Sequence, residues 1–155
     1  MKDILRRRFA EPLLALLGQG VAPDRLALSV AIGVVIGNVP ILGISTVLCA
    51  GIALAWRLNL VAIQLAQGAM APTQLLLIVP FVRIGEWLTR STPEPISVRA
   101  DLALVARSPG QALDVLWRAG LHAGLAWSLI APPVAFLLYL GLTPAFERAA
   151  ARMKR

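Results

Sequence analysis

Few residues in this chain are of a type that does covalent chemistry. The one histidine, His122, has no acidic residue within several positions, and the one cysteine, Cys49, lies inside an apolar stretch and has no partner in the chain. No metal-ligand spacing, glycine-rich phosphate loop or serine-nucleophile motif occurs, and these absences argue against an enzyme. What does stand out is a set of uncharged hydrogen-bonding side chains within hydrophobic sequence. They are Asn38, Ser45 and Thr46 in one stretch and Asn59, Gln64, Gln67, Thr73 and Gln74 in the next. Gln64 and Gln67, three apart, share a helical face. Amides and hydroxyls in such a setting can grip a polar group that has left water. Two arginines at the edges of the second stretch, Arg57 and Arg83, could hold an anion such as a lipid phosphate.

The elements that must position these groups are apolar. Of the 155 residues 58% are hydrophobic and mean hydropathy is +0.76, above the 45–50% apolar content usual in soluble domains. The 15 Lys+Arg outnumber the 8 Asp+Glu and cluster beside the apolar runs. That arrangement is the mark of an inner-membrane protein, and no aromatic–basic platform for nucleic acid accompanies it.

Three runs carry no Asp, Glu, Lys or Arg: residues 26–56, 58–82 and 119–146. A span needs about 20 apolar residues, so each run is long enough for one helix and too short for two. Each has proline near its middle, Pro40, Pro72 and the pair Pro132–Pro133. Proline removes a backbone donor and crowds the preceding turn, and in lipid the freed carbonyls need partners from protein or a polar cavity. The expectation is an all-α integral membrane domain over residues 1–155 with three proline-broken segments, either re-entrant hairpins or kinked spans. An interfacial N-terminal region (1–25) precedes them, with an amphipathic helix at 3–17 whose Ile4, Leu5, Phe9, Leu13 and Leu16 or Leu17 face lipid. A polar connection (83–118) separates the second and third segments, and Ser108–Pro109–Gly110–Gln111 is a strong helix start within it.

Ser29, Gly33 and Gly37 recur every fourth residue, as do Gly120 and Gly124, and such bare faces let another helix come close. Breaks in two adjacent apolar segments point to a binding site at mid-membrane depth. The candidate substrate site is Asn38, Pro40, Gly43, Ser45, Thr46, Arg57, Asn59, Gln64, Gln67, Pro72, Thr73, Gln74 and Arg83.

The stretch LALSVAIGVVIGNVPILGISTVLCAGIALAWRLNLVAIQLAQGAMAPTQ resembles the bacterial membrane family catalogued as domain of unknown function 2062. The likeness rests on Gly33 and Gly37, Pro40 with Gly43, Ser45 and Thr46, Arg57 with Asn59, and Pro72; the C-terminal AGLHAGLAWSLIAPPVAFLLYL extends it. One departure is that the family's Asn–Pro is Ala71–Pro72 here. The resemblance implies an integral protein of the bacterial inner membrane, sometimes fused to glycosyltransferase domains, with no established activity. Two functions are then expected to compete. One is binding or translocation of a lipid or lipid-linked anion. The other is a non-transporting scaffold for an envelope or glycosyltransferase partner, or for further copies of the chain.

Overall fold

The computed structural model describes residues 11–40, 44–92 and 107–153, and these are helical with no strand among them. Six helices follow in order: α1 (Glu11–Gly18), α2 (Pro23–Gly37), α3 (Ile44–Ala55), α4 (Leu60–Ala69), α5 (Ala71–Thr89) and α6 (Pro109–Met153).

α6 is the spine. Its 45 residues extend about 68 Å at 1.5 Å per residue, and the other helices lie along it in two groups. Its first half runs antiparallel to α5, with Phe81 and Val82 packed on Ala123 and Ala126. Its second half runs antiparallel to α2, where Leu142 and Phe146 meet Leu26 and Val30. α3 and α4 fold back beside α2, with Ile32, Ile36, Cys49, Ala53 and Ile63 sharing one buried cluster. α1 closes the far end against α2 and the last turns of α6.

The side chains are distributed inside out. α6 buries alanines (Ala112, Ala123, Ala126, Ala131) and exposes Leu121, Leu125, Leu129, Phe136, Leu137 and Leu140, with Leu129 67% exposed. Exposed large apolar side chains in such number are a feature of surfaces that meet a membrane, a ligand or another protein. α6 is long and apolar enough to cross a membrane, and so is the α4–α5 pair if it counts as one bent span.

The first two runs break where proline predicts. α2 stops at Gly37 and α3 begins at Ile44, while α4 and α5 meet at Met70 with a bend of 64°. The halves of the first run have 15 and 12 residues and α4 has 10. These are about 22, 18 and 15 Å long, each short of a hydrocarbon core of about 30 Å.

Three expectations are corrected. The third apolar segment is not broken: Pro132, Pro133 and Pro144 all lie inside the continuous α6. The helices also extend beyond the apolar runs, so that α5 continues to Thr89 and α6 starts at Pro109, as its Ser–Pro start predicts, both within the stretch read as a polar connection. Finally, the described part of the N-terminal helix faces protein: Leu17 is buried, and Leu13 and Leu16 pack towards Leu142, Phe146 and Ala149. Ile4, Leu5 and Phe9 lie outside the described residues.

Candidate functional site

The two breaks meet. Gln74, in the first turn of α5, donates from Nε2 to the carbonyl of Val39 at 2.6 Å across 35 positions of sequence. Gly37 packs against the α4 end, where an added Cβ would come within 2.9 Å of Met70 Cβ and 3.0 Å of Gln67 Cα. Around this crossing the Val34, Val35 and Ile36 carbonyls at the end of α2 have found donors. Asn38 donates from Nδ2 to Val34 at 2.8 Å and from its backbone N–H to Val35 at 3.2 Å; the Val39 N–H donates to Ile36 at 3.0 Å. The Trp127 indole, arriving from α6, also donates to Val35, at 3.1 Å. These bonds make an interrupted helix tolerable in an apolar setting. One acceptor is left over, since Asn38 Oδ1 is buried without a partner among the described residues.

The amides of α4 reach α3. Gln67 donates from Nε2 to Ser45 Oγ at 3.1 Å and Thr46 Oγ1 at 3.2 Å, and Gln64 approaches the Thr46 carbonyl at 3.5 Å. The two glutamines do share a face. Asn38, Pro40, Ser45, Thr46, Gln64, Gln67 and Gln74 therefore gather about the crossing. Thr73 lies beside them on α5, half-buried, and Pro72 is exposed. Gly43 lies outside the described residues.

Arg57, Asn59 and Arg83 do not join this group. Asn59 caps the opposite end of α4, accepting from the Ala62 N–H at 2.9 Å, while its own N–H donates to Ser29 Oγ at 3.0 Å. The length of α4, about 15 Å, separates that end from the break. Arg25 joins it, donating from Nη1 to the Trp56 carbonyl at 3.2 Å. Arg83 lies more than half-way down α5 from Pro72 and pairs with buried Glu86 at 2.8 Å. An open recess of about 600 Å³ adjoins that pair, with Trp87, Arg90 and Ser91 on its wall.

The small-residue faces divide. Ser29, Gly33 and Gly37 lie against α4, where a Cβ on Gly33 would strike the Ile63 carbonyl and stand 2.8 Å from Ala66 Cβ. Their role is packing within the chain. A Cβ added at Gly120 or Gly124 would meet nothing within 4 Å among the described residues. The close approach on α6 comes from Gly85 of α5 instead, where an added Cβ would collide with the backbone of His122. A lone glycine has no spacing to betray it.

Two arginines form turns that sequence alone does not announce. Arg57 (φ 51°) and Arg90 (φ 54°) are left-handed. Each ends its helix with a paired-bond cap: Leu58 N–H to Ala53 carbonyl (2.9 Å) with Arg57 N–H to Leu54 (3.4 Å), and Ser91 N–H to Glu86 (3.0 Å) with Arg90 N–H to Trp87 (3.2 Å). Glycine is the usual occupant, and arginine costs about 1–2 kcal/mol in this conformation. A cation beside the negative end of a helix offsets part of that.

The family model described as an uncharacterized protein conserved in bacteria (DUF2062) matches residues 6–155. The chain belongs to this family. No curated protein and no solved structure matches it. Among the described residues of this DUF2062 member, no group of three or more His, Cys, Asp or Glu could hold a metal ion.

Proposed function

We propose that this DUF2062 member is an integral protein of the bacterial inner membrane that binds a lipid or lipid-linked anion and carries it past the crossing of its two breaks. The observation that carries the reading is the Gln74–Val39 bond, which ties the two breaks together. Trp127, bonded to the last turn of α2, is about 8 Å along α6 from the middle of the charge-free stretch 119–146. With α6 across the bilayer, the crossing therefore comes near the midplane. Discontinuous helices at that depth are a recurring basis for substrate sites.

In this placement α2 and α3 form a re-entrant hairpin, α4 and α5 form one bent span, and α6 returns. Counted by chain order, ten of the fifteen basic residues, Arg25, Arg57, Arg148 and Arg152 among them, fall on the side of the termini. The positive-inside rule makes that side cytoplasmic. Arg57 and Arg83 then stand at opposite surfaces, able to receive an anion on one side and release it on the other. Reconstituted into vesicles, the protein should accelerate exchange of a fluorescent anionic lipid between leaflets. Gln67→Leu and Arg57→Ala should each abolish exchange without loss of insertion. Full exchange in both variants would overturn the reading.

A specific observation also favours the scaffold alternative. Gly120 and Gly124 present a bare stripe with open space above it, where a helix of an envelope partner, a glycosyltransferase or a second copy could seat. Under that reading Gly124→Leu abolishes partner recovery and Gln67→Leu does nothing.

A further inference from the structure

An apolar groove runs between α2, α3 and α6 on a different face of α2 from the one packed on α4. Its volume is about 320 Å³, and its walls include Leu28, Ile32, Ile52, Pro132, Ala135 and Tyr139. No charged side chain lines it. From Leu28 at one end to Val35 at the other it follows α2 for about 10 Å. The inner end reaches the level of the helix break; the outer end opens beside Trp56 and Tyr139.

The outer end is cationic. Arg25 spends one of its guanidinium donors on the Trp56 carbonyl, which holds the group at the rim with its other donors available. Arg57, the next residue after Trp56, is exposed. The described ion pairs are Arg83–Glu86 and Arg118–Asp114, so neither Arg25 nor Arg57 has a carboxylate partner among the described residues.

We infer that this groove seats one acyl chain of an anionic glycerophospholipid, with its phosphate on Arg25 and Arg57. The groove parallels α2, so a chain lying in it would share the direction of the other tails in its leaflet. The volume is at the lower end of ligand sites, about 300–1,000 Å³, and the groove's length covers the headgroup-proximal part of a single tail. Arginine at the rim and hydrocarbon below match the two ends of such a lipid. The inference rests on the membrane placement proposed above and not on transport.

The test is native mass spectrometry of the full chain released from detergent containing equal phosphatidylglycerol and phosphatidylcholine. Wild type is expected to retain one phosphatidylglycerol in clear preference. Ala135→Phe, which fills the groove from α6, should lower retention about tenfold. Ile52→Trp fills it from α3 and serves if the first variant does not fold. Arg25→Gln with Arg57→Gln should leave binding but erase the preference. Wild type that holds no lipid, holds both equally, or is matched by either filled variant would overturn the inference. Gln67→Leu should retain phosphatidylglycerol as wild type does. Retention with no leaflet exchange in any variant would therefore sink the transport reading and leave the groove assignment standing.

Discussion

The first and third apolar runs contain the same breaker and answer it differently. Just before Pro40 the helix stops at Gly37, and the next helix begins at Ile44. At Pro132–Pro133 two prolines in succession leave α6 continuous. The difference lies in what surrounds each. Asn38, Trp127 and Gln74 supply side-chain donors to Val34, Val35 and Val39 at the first site. Pro132 and Pro133 withdraw the helical partners of the Ser128 and Leu129 carbonyls, and Ser128 and Leu129 are exposed. α6 holds its course because it is packed on both sides of the prolines, against α5 through Ala126 and Ile130 and towards α2 through Ala131 and Tyr139. Proline weakens a helix; whether the helix parts there depends on donors waiting for the carbonyls.

The sharpest test compares glycines in the two runs. Gly33→Leu must drive α2 from α4 and should cost about 3 kcal/mol or more. Gly124→Leu enters open space and should stay within about 0.5 kcal/mol. Unfolding in mixed micelles by sodium dodecyl sulfate reads both, and equal losses would erase the contrast. Next in size is Gln74→Leu, which strips Val39 of its donor and should cost about 1–2 kcal/mol in the same titration. Trp127→Phe should cost about 1 kcal/mol or less, because Val35 keeps the Asn38 N–H. An effect of Trp127→Phe larger than that of Gln74→Leu would place the key donor on α6 instead of α5.

The smallest effects concern the prolines themselves. Pro40→Ala should not fuse α2 to α3, since the side-chain donors remain. Spin labels at positions 34 and 48 should keep their wild-type separation; one straight helix would set them about 21 Å apart. Pro133→Ala restores a donor for Leu129 and should stabilise by about 1 kcal/mol. A destabilised Pro133→Ala would mean that the proline pair shapes α6 after all. Topology can be checked in a Cys49→Ser background with single cysteines at 3, 57, 92 and 150. Only position 92 should label from outside; labelling of all four from the cytoplasm, or strict alternation, would contradict the hairpin and bent-span arrangement.

Much of this architecture is legible in the residues. The short apolar halves on either side of Pro40, the shared face of Gln64 and Gln67, and the Ser108–Pro109 helix start all follow from local spacing. The fate of Pro132–Pro133 does not, because it is decided by contacts from α5 and α2, far away in sequence. Gly85 is silent for the same reason: its partner is the His122 backbone, and nothing near Gly85 announces it. Arg57 and Arg90 occupy turns normally signalled by glycine or asparagine, so sequence reads them as charges and misses them as hinges. Grouping Arg57 and Arg83 with the amides failed because α4 carries one arginine away from the break and the bent α5 carries off the other.

The break at the crossing also sets the outline of the molecule. Among the described residues α2 packs along the second half of α6, with α3 and α4 on the sides of α2 and α1 at its far end, while α5 packs along the first half. Among the described helices the cross-section is therefore larger at one end than at the other. In the proposed membrane placement such a wedge would displace more lipid from one leaflet than from the other. That imbalance of leaflet area would favour membrane that is already curved, and would itself bend membrane in which the protein is crowded.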